Sequence, residues 1–179
     1  MRSSAASDVY KRQAMNPCPC GNYGSRITPC RCTAQQIQRY RNRISGPMLD
    51  RIDIHVEMGE VGYNDIAGRS CGEPSSAIRA RVNAARAIQT RRYAGMGILF
   101  NAQLTNRMMN QYCVLTSDAE SLMKKAFAAL KLSARAYTRL LKVSRTIADL
   151  AGSEQIKAEH IAEAIQYRSL ESKYWGEIR

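Results

Sequence analysis

Four of the six cysteines in this 179-residue sequence lie within fifteen residues of one another, an arrangement that could bind a metal ion. They form the pattern C-x-C-x₉-C-x-C and are Cys18, Cys20, Cys30 and Cys32. Four thiolates in two close pairs can complete a tetrahedral zinc site, although C-x₂-C pairs are the commoner zinc ligands. The alternative is four reduced cysteines without a ligand. We expect a structural zinc ion in this loop.

The positive charge of the sequence is concentrated in two blocks that contain no acidic residue. Lysine and arginine number 27 against 15 acids, for a formal net charge of +12. The blocks span residues 9–49 and 74–117 and hold seven and six basic residues. Such blocks indicate contact with polyphosphate, either a nucleotide or a nucleic-acid backbone. The alternative is a solvated basic surface.

Several classes of protein are excluded by what the sequence lacks. No run of 18 uncharged apolar residues is present, so we expect no transmembrane helix. Residues 1–13 have no apolar core and do not form a secretory signal, which favours a cytoplasmic protein. They are rich in Ser and Ala and predict a non-native or disordered start. Neither His55 nor His160 forms a catalytic pattern with a nucleophile; His160 is expected to cap or pack a helix.

The pattern along the chain predicts a short α/β segment followed by helices. Thr33 and Gln36 form a capping box for a helix that ends near Arg43. Apolar and polar residues alternate over 52–58, which predicts a strand, and residues 59–72 are typical of a linker. Helical spacing then predicts helices over 75–92, around 103–113, from a capping box at Ser117, from Ser133 and over 158–170.

Three motifs together resemble a known family. The first is Asn16-Pro17-Cys18-Pro19-Cys20-Gly21 with Cys30-Arg31-Cys32, the second runs from Ser45-Gly46-Pro47 through Asp50-Arg51 to His55-Val56, and the third comprises the helical runs 132–150 and 159–168. They closely resemble the magnesium-chelatase-like AAA+ ATPases of the ComM/YifB type over residues 14–175. The resemblance implies the C-terminal part of an AAA+ α/β core, 14–58, then a linker, 59–72, and a helical lid, 73–170, with a tail at 171–179. Most of this chain would be helical.

The resemblance also implies roles for three polar residues. Asn16 matches sensor 1, which orients the attacking water; otherwise it is a turn residue before Pro17. Arg51 matches the arginine finger, which reaches the γ-phosphate of a neighbouring subunit; otherwise it is a surface residue paired with Asp50 or Asp53. Arg135 matches sensor 2, which contacts ATP phosphate; otherwise it is a solvated helix charge, and nearby arginines such as Arg145 are expected on the same open face.

The residues that would hold the nucleotide itself do not occur in this sequence. ATP and Mg²⁺ require a G-x-x-x-x-G-K-[ST] loop and an acidic strand end, and neither is present in the 179 residues. We therefore expect this chain alone not to hydrolyse ATP. The resemblance implies a C-terminal fragment of a ring-forming ATPase, hexameric in intact relatives, that drives DNA branch migration. The alternatives are a non-enzymatic nucleic-acid-binding module with a zinc loop, and a metal-chelatase motor subunit.

Overall fold

The computed structural model describes residues 14–59, 61–63, 67 and 72–168. The chain divides into two units, Met1–Ile44 and Ser45–Arg179. The predicted start at 1–13 and tail at 171–179 lie outside the described residues, as does most of the predicted linker at 59–72. No helix in the described part of the chain is both long and apolar enough to cross a membrane.

The first unit contains a loop, residues 14–32, and helix α1, Ala34–Arg41. The predicted capping box is confirmed: the Thr33 side chain accepts from the Gln36 N–H, and the Gln36 side chain accepts from the Thr33 N–H. Two orphan amides at the start of α1 are thereby satisfied. Because Ile37 points inward and Arg39 and Arg43 point outward, α1 presents a basic face to solvent.

The second unit is mostly helical in its described part. Its principal helices among the described residues are α2 (Gly46–Leu49), α3 (Ser75–Arg92), α4 (Asn106–Tyr112), α5 (Ser117–Ala129), α6 (Ala134–Leu150) and α7 (Ala158–Gln166), with a 3₁₀ turn at Asn101–Gln103. The predicted helices are thus confirmed, with shifted ends. The cap of α5 is Thr116 rather than Ser117, and α7 ends at Gln166 instead of residue 170. Ser133 caps α6 as predicted.

The predicted strand at 52–58 is wrong for the chain as it stands. This segment has a bend at Asp53 and no regular structure, the described residues form no strand, and their one isolated β-bridge joins Leu115 to Ile156. A strand needs a neighbouring strand to pair its N–H and C=O groups. Here the His55 N–H instead donates to the carbonyl oxygen of Tyr167, at 2.8 Å. The α/β part of the expected fold is therefore absent from the described residues, which are mostly helical.

The apolar core of the second unit lies between α5, α6 and α7. Helix α7 packs against both α5 and α6, and α6 also contacts α3 and the 3₁₀ turn. Leu140, Ile156 and Ile161 are essentially fully buried there. His160 is buried at the start of α7, where its Nδ1 accepts from the Lys157 N–H at 3.0 Å, as the capping prediction requires. Burial lowers the pKa of His160, which favours the neutral ring.

A buried carboxylate, Asp149, joins three elements of this unit. Its Oδ2 accepts from Arg92 of α3 at 3.0 Å, from Gln89 of α3 at 3.1 Å and from Asn101 of the 3₁₀ turn at 2.8 Å. Its Oδ1 accepts from Arg145, one turn earlier on α6, at 3.1 Å. Burial opposes ionisation of Asp149, but the donors and the two guanidinium charges outweigh it and lower its pKa.

The expectation that Arg145 lies on an open helix face is wrong. Its side chain is 1% exposed, and its guanidinium also donates to the carbonyl oxygens of Ser153 and Glu154 beyond the end of α6. These carbonyls lie in the loop that follows the helix, so Arg145 fixes where the chain turns toward α7. A buried cation is stable only when it is paired and hydrogen-bonded, as it is here.

We expect Asp149→Ala to lower the free energy of unfolding by about 3–5 kcal/mol, because it leaves the buried Arg145 charge without its counterion. Urea denaturation of this chain measures the change. The control is Glu73→Ala, which removes an exposed ion pair with Arg81 and should cost under about 1 kcal/mol. Equal losses in both variants would contradict the assignment. Since the pKa of Asp149 is lowered, its contribution is present above its unfolded-state pKa and lost as pH falls through the folded one.

Candidate functional site

The four cysteines of the loop converge in the structure, as their spacing predicts. The Sγ atoms of Cys18, Cys20, Cys30 and Cys32 all lie within 4.8 Å of one another. Three of the separations are 3.4 Å, 3.7 Å and 3.6 Å, far longer than a disulfide bond of about 2.05 Å. A zinc ion with bonds of about 2.3 Å to four sulfurs would place them about 3.8 Å apart. These cysteines could therefore bind a metal ion such as zinc.

Backbone turns hold the first pair of cysteines in position. The Gly21 N–H donates to the carbonyl oxygen of Cys18 at 3.0 Å, which closes a tight turn around Cys20. Gly21 has a φ of +84°, a conformation that residues with a Cβ rarely adopt. Behind the turn, the buried Arg41 of α1 donates to the Pro17 carbonyl oxygen at 3.4 Å, and its guanidinium lies 4.5 Å from the Tyr23 ring centre. The loop is thereby fastened to α1.

The electrostatics of the cluster favour a bound cation. Backbone hydrogen bonds at Asn22 and Arg31, with one from the Cys18 side chain, lower the pKa of Cys20 to about 6. Burial, together with its contacts to neighbouring thiols, raises the pKa of Cys32 to about 12. One thiolate therefore forms readily, while further negative charges at this distance repel it. A divalent cation would remove this repulsion and allow all four sulfurs to act as ligands.

A small apolar core gives the first unit a physical need for such a cross-link. Among residues 14–44 the buried side chains are Cys18, Ile37 and Arg41. Segments this short bury too little apolar surface to offset the entropy of ordering the chain, and metal sites commonly make up the difference.

Asn16 lies at the start of the cysteine loop and is exposed. Its amide packs against Gly21, since a Cβ on that glycine would lie 3.6 Å from the Asn16 Nδ2. Only Ala14 and Met15 are described before Asn16, so the backbone that leads into it lies outside the described residues. The sensor-1 role of Asn16 stays a prediction.

Arg51 lies in the second unit, just beyond α2, with an exposed side chain. Its Nη1 donates to the Pro47 carbonyl oxygen at 3.3 Å, and it makes no ion pair with any described residue. The alternative pairing with Asp50 or Asp53 does not form, because both carboxylates have other partners. Asp53 pairs with Arg139 of α6. Asp50 accepts a hydrogen bond from Ser133, the cap of α6, and pairs with Arg168 beyond the end of α7.

Arg135 is the second residue of α6, and its side chain is exposed. The residue that caps this helix, Ser133, donates from Oγ to the Asp50 Oδ2 at 2.9 Å. Arg135 therefore lies two residues after one end of this hydrogen bond, and Arg51 lies one residue after the other end. The tertiary structure thus links the two segments that carry the predicted finger and the predicted sensor 2.

Sequence reasoning missed the importance of Arg168. Its side chain is 2% exposed, its Nη2 lies 3.5 Å from the Asp50 Oδ1, and its Nη1 donates to the Ile52 carbonyl oxygen at 3.3 Å. A signal was present, because Arg168 follows Ile161, Ala164 and Ile165 at helical spacing on the predicted apolar face. An arginine on such a face indicates a buried cation with a specific partner.

Comparison with known proteins assigns both parts of the chain to the same family. Residues 72–168 match the family described as magnesium chelatase, subunit ChlI C-terminal, and residues 6–66 match magnesium chelatase, subunit ChlI. The chain is 43% identical over 158 residues to competence protein ComM of Haemophilus influenzae. It is 41% identical over 159 residues to YifB of Salmonella typhimurium and 39% over 160 residues to YifB of Escherichia coli, both described as uncharacterized.

Each of these alignments covers 88% of this chain but 30% of the relative, so the chain spans under a third of the relatives' length. The resemblance expected from the motifs is confirmed. Since the C-terminal family model alone matches more than half of the 179 residues, the chain belongs to the magnesium chelatase ChlI family.

Proposed function

We propose that this chain is the nucleotide-sensing portion of a ring-forming AAA+ ATPase whose hydrolysis of ATP drives DNA branch migration. Its membership in the magnesium chelatase ChlI family and its 43% identity to a competence protein support this function. The ring is expected to be a hexamer, with the phosphate-binding loop and the Mg²⁺ ligands supplied by parts of the longer protein outside this chain. In this arrangement one subunit's arginine completes the neighbouring subunit's site.

The observation that carries the proposal is the direct bond between Asp50 and Ser133 at 2.9 Å. It joins two segments that are 83 residues apart and that present Arg51 and Arg135, both exposed, beside its two ends. Guanidinium groups that are not neutralised by carboxylates are available for phosphate oxygens.

The two arginines would act on different steps. Arg51 would reach the γ-phosphate held by the neighbouring subunit and offset negative charge that develops in the transition state. Arg135 would contact the phosphates in its own subunit and report whether ATP is bound. Asn16, in the first unit, would orient the attacking water through its amide. Because Arg51 acts on growing charge, its loss should reduce hydrolysis more than ATP binding.

A non-enzymatic nucleic-acid-binding module is the second candidate, and one surface favours it. The outer face of α1 forms a shallow groove lined by donors and lacking any acid: Gln35, Gln38, Arg39, Asn42 and Arg43. Such side chains bind phosphate and sugar oxygens of a nucleic-acid backbone. The second acid-free block is less available, because Arg81 and Arg92 are paired with Glu73 and Asp149 and Arg86 lies over the Phe100 ring.

DNA binding by the isolated chain separates the two candidates. If the module alone is the function, this chain should bind duplex DNA tightly, and the affinity should fall steeply with salt. The double variant Arg39→Ala, Arg43→Ala should then weaken binding at every sequence and flatten the salt dependence by about two phosphate contacts. Arg107→Ala, an exposed arginine on α4, is the control. Fluorescence anisotropy at several salt concentrations measures both effects. Weak binding that the double variant does not change would favour the ATPase.

We expect one zinc ion per chain, bound by the four clustered cysteines. A variant with serine at all four positions should lose the metal and show faster amide exchange over residues 14–44 only, because the second unit has its own core. Cys113→Ala, which removes a buried cysteine of that core, should retain the zinc. Elemental analysis and hydrogen exchange provide the two measurements. Protein prepared with added Zn²⁺ that contains none would rule out the site.

We expect Arg51→Ala in the full-length protein to spare ATP binding and to reduce hydrolysis on the order of 10³-fold. Arg107→Ala should leave both unchanged. Mixing Arg51→Ala subunits with subunits that lack a working phosphate-binding loop should restore part of the activity. In such rings, the intact Arg51 of a subunit without a working phosphate-binding loop can act on the intact nucleotide site of an Arg51→Ala subunit. A wild-type rate in Arg51→Ala would show that the arginine is not a finger.

A further inference from the structure

The buried guanidinium of Arg168 contacts the residues on both sides of Arg51. Arg168 approaches the Asp50 carboxylate at 3.5 Å with Nη2 and donates to the Ile52 carbonyl oxygen at 3.3 Å with Nη1. These partners are the residues immediately before and after Arg51. The planar fork of an arginine fixes two acceptors at a set spacing, which a lysine cannot do. These two contacts restrict the position of the backbone at Arg51, and with it the orientation of the Arg51 side chain.

The second carboxylate oxygen of Asp50 connects the contact with Arg168 to the start of helix α6. Asp50 Oδ2 accepts from the Ser133 hydroxyl, whose oxygen in turn accepts from the Ala136 N–H at 3.1 Å as the helix cap. The hydroxyl therefore serves the helix and the 50–55 segment at once. The side chain of Asp50 is therefore connected to the first turn of α6, where Arg135 lies.

Two further contacts align the rest of the segment with the helices. The His55 N–H donates to the Tyr167 carbonyl oxygen at 2.8 Å, next to Arg168 at the end of α7. Asp53 pairs with Arg139 of α6, but here the side chains are 55% and 31% exposed. An exposed pair contributes little, whereas the ion pair and the backbone hydrogen bond of a guanidinium that is 2% exposed contribute more. The contact between the buried Arg168 and the partly exposed Asp50 therefore holds this segment more firmly than the exposed pair does.

We propose that Asp50, Arg168 and Ser133 form a positioning clamp that makes the Arg51 finger and the Arg135 sensor move as one body. Asp50 and Arg168 are positioning residues, since they act through Arg51. When Arg135 responds to the nucleotide of its own subunit, the clamp carries the movement to the finger that serves the neighbouring site. This inference rests on the proposed function and adds the route by which one site influences the next.

The test compares Asp50→Asn with the matched control Asp53→Asn in the full-length ATPase. Asparagine retains the size of the side chain but removes the charge that faces Arg168. We expect Asp50→Asn to lower kcat about tenfold to a hundredfold, because small misplacements of a catalytic group have effects of this size, with the KM for ATP within about threefold. Asp53→Asn should leave kcat within about twofold. Equal losses in both variants would overturn the clamp.

A double variant separates positioning from general damage. In an Arg51→Ala background, Asp50→Asn should cause no further loss of kcat, because a positioning residue acts only through the group that it positions. Losses that multiply would overturn the proposal. If Arg51→Ala alone hydrolyses ATP at the wild-type rate, the proposed function fails, and the clamp as a finger-positioning device fails with it.

Hydrogen exchange on this chain tests the mechanical part without ATP. Asp50→Asn should speed exchange of the His55 amide, which the Tyr167 carbonyl protects, and should leave the amides of α3 unchanged. Unchanged exchange at His55 would show that Asp50 does not hold the segment and would overturn the clamp even if turnover fell. Faster exchange with normal turnover would separate the structural contact from any role in hydrolysis and would also overturn it.

Discussion

The second unit depends on the ionised state of one buried side chain, Asp149. Its two oxygens accept from α3, from the 3₁₀ turn and from α6 itself, so a single carboxylate determines where three elements meet. Two arginines supply the compensating charge, and the excess guanidinium donors of Arg145 satisfy carbonyls beyond α6. Removing either sign of charge would leave the other buried and unpaired, which is why the network acts as a unit.

The position of α6 governs what the candidate site can do. The C-terminal half of the helix is fixed by Asp149 and Arg145. Its first turn contains Arg135, and its cap, Ser133, donates a hydrogen bond to Asp50. Side chains presented from a rigid element are held more closely to a productive geometry than side chains on a free loop. The 50–55 segment begins in a turn and has no sheet beside it among the described residues, so its contacts to Ser133, Arg139, Tyr167 and Arg168 hold it in place.

The first unit follows a different physical logic. Its described residues bury few apolar side chains, and its order comes from a helix cap, a glycine turn and the grip of Arg41 on the loop. The four sulfurs lie at separations that suit tetrahedral coordination. A metal cross-link between residues 18 and 32 would restrict the loop in the way that a hydrophobic core restricts a larger domain.

Local signals in the sequence were sufficient to predict most of the helices and the clustering of the four cysteines. Thr33, Ser133 and helical spacing predict where helices begin, because caps and amphipathic faces depend on residues within a few positions. The paired cysteines are likewise close along the chain, and the family follows from the motifs around them. These features need little knowledge of the rest of the molecule.

Only the tertiary structure determined which charged residues are buried, which partners they have, and whether residues 52–58 form a strand. Arg145 was expected on an open face, yet it is buried because Asp149 and the loop carbonyls surround it. Arg168 meets the 50–52 segment across more than one hundred residues of sequence, a distance over which no local pattern predicts a partner. Residues 52–58 alternate like a strand, but pairing is a property of two segments, and the described residues offer no second one.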